Sequence, residues 1–182
     1  MRAASNPVAA LRNKRLGVAA GMAGGLAATL LALFWPGLPR GETDLAGRLS
    51  TWVACDLVAA GWLAVAVARL AAHRFFSGAD IDAALAPGTP RARILQSLVQ
   101  NTLEQAVLAM IAYGAWLLPT DPMAPSATAW LAVGCFSAGR LLFILGYARG
   151  AAWRAFGFAL TFYPTVGLIL ARAVWILRGT VL

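Results

Sequence analysis

Five long apolar runs dominate this chain, and each is long enough to cross a bilayer. They cover residues 16–35, 49–72, 94–118, 127–147 and 155–177. A membrane-spanning helix needs about 20 mostly apolar residues, with a range of roughly 17–25. The runs are continuous rather than alternating, which excludes a transmembrane barrel. Lipid offers no partner to backbone N–H and C=O groups, so helices remain as the spanning structure. Of the 182 residues 60% are hydrophobic and 12% are charged. That is about half the charged share of a soluble domain, roughly 25%. The expected fold is all-α, a polytopic transmembrane helix bundle with no separate soluble domain.

The connections carry turn chemistry. Pro36, Gly37, Pro39 and Gly41 follow the first run. Ser77-Gly78 and Pro87-Gly88-Thr89-Pro90 bracket an amphipathic loop over 81–85, and Pro119, Pro122 and Pro125 follow the third run. Gly150 sits in a short turn before the fifth run, and Pro164 lies inside that run, where a kink is expected. The first run follows a basic segment, but it is too long for a signal-peptide core and ends in Trp35-Pro36-Gly37-Leu38-Pro39, a poor cleavage context. It reads as a retained helix. Residues 1–44 thus form a basic segment plus an extra transmembrane helix, and residues 45–182 form a four-helix membrane domain.

Charge placement gives the orientation. With the N-terminus cytoplasmic, the inner segments hold Arg2, Arg12, Lys14, Arg15, Arg69, Arg74, Arg91, Arg93, Arg149 and Arg154. The outer segments hold Arg40, Arg48 and Arg178. This bias puts the N-terminus inside and the C-terminus on the opposite side of an inner, cytoplasmic-type membrane. It also accounts for the net charge of +8 without any nucleic-acid partner. Cys55 and Cys135 lie inside apolar runs and read as small buried hydrophobes, with no metal site implied. The single histidine, His73, reads as a solvated residue at a helix end. Asp56 and Arg172 fall near the outer leaflet, where pairing or independent snorkelling are equal expectations. Gly17, Gly21 and Gly25 form a small-residue face on the first helix that suits close packing on another helix.

Ionisable groups inside a bilayer are costly and should face protein, water or a ligand. The third run opens with Gln96, Ser97, Gln100, Asn101, Glu104 and Gln105, of which Ser97, Asn101 and Glu104 share one face. Arg140 lies seven residues before Tyr147, on the same face of the fourth run, and Arg154 opens the fifth. At about 1.5 Å rise per residue, Asn101, Glu104 and Arg140 reach a similar depth. Asn101, Glu104, Arg140, Tyr147 and Arg154 can therefore converge on one inner-leaflet pocket, positive on balance and suited to an anion. A Glu104–Arg140 pair that only fixes helix packing is the alternative.

At these residues the chain resembles the MAPEG family, the membrane-associated proteins in eicosanoid and glutathione metabolism, in the form of its bacterial-type members and the microsomal glutathione transferases. The matching pieces are Gln100-Asn101-Thr102-Leu103-Glu104, the stretch from Gly139-Arg140 through Tyr147 to Gly150, and Arg154-Ala155-Phe156-Gly157-Phe158. Together with the helix spacing, the resemblance covers roughly residues 49–177. It implies a four-helix subunit, a homotrimer, and glutathione as co-substrate bound near the cytoplasmic side. It makes Asn101, Glu104, Arg140 and Tyr147 glutathione-binding candidates and Arg154 the catalytic candidate that stabilises the thiolate.

The implied function is a membrane glutathione transferase or glutathione-dependent peroxidase that conjugates or reduces lipophilic electrophiles arriving from the lipid bilayer. Three positions depart from the family's pattern. Ser97 stands where an Arg is frequent, and Gln105 and Phe143 stand where Tyr is frequent. Arg93, one turn before Ser97, is the cation that would substitute. The departures favour an alternative: a non-catalytic protein of the same fold that binds a lipid or a partner protein.

Overall fold

A computed structural model describes residues 7–33, 44–82, 88–118, 125–147 and 150–179. Five helices account for almost all of them: α1 (Pro7–Leu33), α2 (Leu45–Phe76), α3 (Pro90–Leu117), α4 (Ser126–Gly146) and α5 (Ala151–Gly179). No strand occurs among the described residues. The protein is an all-α membrane bundle. The expected turns at 36–41 and 119–122, most of the amphipathic loop at 81–85, and Arg2, Arg40 and Arg149 lie outside the described residues.

Helices α1, α2, α3 and α5 are longer than their apolar stretches, because apolarity marks the lipid-embedded part while caps mark the helix. The Asp44 carboxylate accepts from the Gly47 amide at 3.1 Å and starts α2 four residues early. Thr89 accepts from the Ala92 amide at 3.2 Å, with Pro90 in the first turn of α3. Both are ordinary N-terminal caps. Helix α5 is continuous through Pro164. Among the described residues, α2, α4 and α5 are long and apolar enough to cross a membrane. In α3 the polar first half, from Gln96 to Gln105, shortens the apolar part.

The main interfaces are α1 with α5, α4 with α5, and α2 with α3, with α3 also against α5 and α2 against α4. The principal core lies among α2, α3 and α4. It is built from small residues, Ala59, Ala106, Ala109, Ala112, Ala129 and Ala132, around Tyr113 and Phe136. Small residues at the seam let helix backbones approach in lipid, where no hydrophobic drive separates protein from solvent. A second cluster of Leu70, Leu95, Leu98 and Phe143, with Tyr147 and Phe158 against it, lies on the same helix faces as the candidate site. Leu49, Val53, Leu57 and Val65 of α2 remain exposed, as expected for a face that meets lipid.

Polar contacts fasten the helix ends. Arg48 is buried at the start of α2, and its Nε donates to the Leu117 carbonyl at 2.8 Å at the end of α3. At the opposite end of this antiparallel pair, residues near the end of α2 and the start of α3 enclose Asp80, whose side chain is fully buried. Asp80 Oδ1 accepts from the Thr89 amide at 2.7 Å. Oδ2 accepts from Thr89 Oγ1 at 2.7 Å and Ser77 Oγ at 2.9 Å, and meets His73 Nε2 at 2.9 Å. His73 is therefore not the solvated end residue that the sequence suggested. It is only 18% exposed and forms one edge of this clasp, a partner invisible to sequence because Asp80 lies beyond the helix end.

Two glycine contacts set helix positions. A Cβ on Gly157 of α5 would stand 2.5 Å from the Phe143 nitrogen of α4, and one on Gly139 would overlap Thr161 Oγ1. These two helices thus cross in direct backbone contact. A Cβ on Gly25 of α1 would stand 2.5 Å from Ala159 Cβ and 3.0 Å from the Leu160 nitrogen of α5. The expected close packing of α1 is realised there, on α5. Near the other side of the membrane Asp56 Oδ1 is buried without a hydrogen-bond partner, so the pairing considered for Asp56 and Arg172 does not run through that oxygen.

Candidate functional site

The glycine crossing of α4 and α5 determines what surrounds Arg140. Directly after Gly139, its side chain is fully buried. Nη1 donates to Asn101 Oδ1 of α3 at 2.8 Å, and Nε and Nη2 donate to Thr161 Oγ1 of α5 at 3.2 and 3.1 Å. The Thr161 hydroxyl itself donates to the Gly157 carbonyl at 2.8 Å, which leaves its lone pairs facing the guanidinium. The Phe143 ring covers the cation at 4.8 Å, and Phe136 lies 6.0 Å away. No carboxylate is paired with Arg140 among the described residues. A buried charge is usually paired with an opposite one. Here neutral oxygens and ring faces hold it, and the neighbourhood keeps a positive charge.

Asn101 links this buried group to a cavity of about 400 Å³. Ser97 and Asn101 line it from α3, Phe143 and Tyr147 from α4, Ala151, Arg154, Ala155 and Phe158 from α5, and Val18 and Met22 from α1. That volume lies within the range of small-molecule sites, roughly 300–1,000 Å³. The Arg154 guanidinium stacks over the Tyr147 ring at 4.6 Å and is half-buried. Gly150, at φ 110°, makes the tight turn that starts α5, and the Arg154 amide bonds back to the Gly150 carbonyl at 3.3 Å. Arg154 therefore stands in the first helical turn, where the free amides of a helix start add a partial positive charge.

Asn101, Tyr147 and Arg154, three of the five candidates, meet at the cavity. Arg140 stands behind it, joined through Asn101. Glu104 does not join: it is on the exposed face of α3, and its Oε1 accepts from Gln100 Nε2 at 2.9 Å. The Glu104–Arg140 pair considered from sequence is not formed. Ser97 lines the cavity, but its hydroxyl donates to the Arg93 carbonyl at 3.0 Å. Arg93 itself is exposed and not part of the wall. Of the other two departing positions, Phe143 is the ring over Arg140, and Gln105 is buried with Oε1 lacking a partner.

Sequence reasoning missed Thr161, the second anchor of Arg140. The signal was present: Gly157, Thr161 and Thr165 recur every four residues and form a small, polar stripe along an otherwise apolar helix. It also missed Val18 and Met22 of α1, since nothing in their own run distinguishes a wall residue from a lipid-facing one. Among the described residues no group of three or more His, Cys, Asp or Glu could hold a metal ion.

The sequence profile of the MAPEG family matches residues 51–174, from the first turns of α2 to the last part of α5. No curated protein and no solved structure matches the chain.

Proposed function

Because the chain belongs to the MAPEG family, we propose that the cavity lined by α1, α3, α4 and α5 binds glutathione and presents its thiolate to lipophilic electrophiles dissolved in the bilayer. The observation that carries this reading is the fully buried Arg140, which no described carboxylate neutralises and which holds Asn101 at the wall of a cavity that also contains Arg154. Two guanidinium groups and a helix start favour an anionic ligand there. Glutathione fits that requirement, with carboxylates for binding and a thiol that reacts as its thiolate.

Within this reading each residue has a distinct task. Asn101 offers its amide NH₂ to the ligand, because its oxygen is already held by Arg140. Arg140 positions Asn101 and supplies field without touching the ligand. Arg154 presents its guanidinium at the cavity wall and stabilises the thiolate over the thiol. The stacked Tyr147 ring fixes the direction of that guanidinium. Glu104, exposed on α3, would meet glutathione only across a contact with a second subunit, in keeping with the homotrimer that the resemblance implies. The same charge placement favours a cytoplasmic N-terminus, which would open the cavity toward the cytoplasmic leaflet.

A second reading is a binding protein of the same fold without catalysis. Ser97 favours it: the wall residue that would be a third cation is a hydroxyl already bonded to its own helix. Calorimetric titration of the protein in lipid discs with glutathione separates the two. Saturable binding together with conjugation of a model electrophile supports the transferase. Absence of saturable binding leaves the second reading.

A further inference from the structure

Helix α1 precedes the residues matched by the family profile, yet it supplies two residues of the cavity wall. We infer that Val18 and Met22 of α1 form the surface that selects the apolar portion of the second substrate, an amphiphile whose electrophilic centre sits near Arg154 and whose hydrocarbon tail lies against α1. The inference rests on reading the cavity as the proposed thiolate site.

Three observations support it. Val18, Met22, Gly25 and Thr29 are spaced i, i+4, i+7 and i+11, so they share one helix face. The upper part of that face is locked. Gly25 meets α5 in backbone contact, and Thr29 is buried with its hydroxyl on the Gly25 carbonyl at 2.9 Å. The fixed rotation of α1 that results turns Met22 and Val18 to the cavity instead of to lipid.

The second observation is a gradient of polarity. On α5, Arg154 lies in the first turn and Phe158 one turn further. On α4, Tyr147 ends the helix and Phe143 lies one turn deeper. Both helices therefore change from polar to apolar in the same direction over one turn, about 6 Å. The third is the chemistry of Met22. An unbranched thioether chain adapts its shape to different apolar partners, which suits a wall for a flexible tail.

The test uses the full chain in lipid discs with 2-alkenals of increasing chain length and glutathione. In that reaction the thiolate sulfur forms the C–S bond at the β-carbon. The C=C electron pair moves toward the carbonyl oxygen, and water returns a proton to the α-carbon. Met22→Trp should lower kcat/KM for long alkenals about 10-fold or more relative to the shortest, since pockets discriminate single methylenes by roughly 10–200-fold. Met22→Leu should restore the wild-type profile, and Val18→Phe serves as the second blocking variant should Met22→Trp not fold.

A parallel assay needs no glutathione. A diazirine-tagged alkylnitrobenzene should label the α1 peptide saturably in the wild type, and Met22→Trp should abolish that labelling without changing labelling at lipid-facing Leu57 of α2. Saturable labelling without conjugation would refute the thiolate reading and keep the wall. Labelling of α1 that neither saturates nor responds to Met22→Trp or Val18→Phe would overturn the wall, whatever glutathione does. So would a chain-length profile that the blocking variants leave unchanged.

Discussion

Arg140 Nη1 donates to Asn101 Oδ1 at 2.8 Å, and this bond ties the buried charge of α4 to the cavity wall on α3. It decides which end of the Asn101 amide faces the cavity. Asn101→Leu should therefore act twice. Loss of a hydrogen bond to a buried charge costs about 1–2 kcal/mol of stability, since interhelical bonds in lipid are weaker than the values of roughly 1.5–3 kcal/mol found for charged groups elsewhere. Glutathione binding should fall as well. Thr161→Val, on the far side of the same guanidinium, should cost similar stability with a smaller effect on binding, because Thr161 does not line the cavity. Thermal unfolding in detergent with parallel titrations checks the split.

The α4–α5 crossing makes a sharper prediction. Gly157→Ala or Gly139→Ala should disrupt the bundle, because each new methyl would overlap backbone or Thr161 on the facing helix. Gly61→Ala and Gly134→Ala are the controls, since a Cβ at either position meets nothing within 4 Å. In a helix interior the control substitution should be neutral or stabilising by up to about 1 kcal/mol. Size-exclusion profiles and melting temperatures of the four variants are the measurement. Equal behaviour of both pairs would contradict the backbone contact.

The helices and three of the residues that line the candidate cavity could be read from the sequence because lipid imposes strict length and polarity rules. Asn101, Tyr147 and Arg154 meet at the cavity for that reason: each sits at a helix level where a polar group needs a use. Glu104 shows the limit. Spacing groups it with Ser97 and Asn101, but does not reveal that its own side chain stays exposed while theirs line the cavity, nor that Gln100 one turn earlier bonds its carboxylate. Arg140 shows the same limit from the other side. Its depth was legible, but Thr161 as its anchor depends on how close Gly139 and Gly157 let α5 approach. The partner of His73 was hidden in a loop, where periodicity carries no information.

The Asp80 clasp should show in the pH dependence of stability. Three donors and His73 surround the carboxylate, above all the Thr89 amide and hydroxyl, and hold it down to about 2 against an ordinary value of 3.8. A carboxylate with a depressed folded-state pKa contributes stability that is complete above its unfolded value and is lost as pH falls through the folded one. Between about pH 4 and pH 2 the wild type should therefore lose stability that Asp80→Asn has already lost at neutral pH. Melting curves of the two proteins should converge in that window. Parallel curves throughout would show that the clasp does not couple to folding.

Thiolate stabilisation by Arg154 is the central claim, and the ultraviolet absorbance of bound glutathione thiolate, titrated against pH, tests it most directly. Wild-type protein in lipid discs should show the thiolate at neutral pH, with the bound thiol's pKa well below that of free glutathione. Arg154→Ala should keep the fold and still bind glutathione, while the bound pKa rises by about one unit or more, equivalent to about 1.4 kcal/mol per unit. Its conjugation rate should fall more than its affinity, as expected when a group acts on the reacting atom. A bound thiol that titrates identically in the two proteins, or a wild type that binds no glutathione at all, would contradict the account.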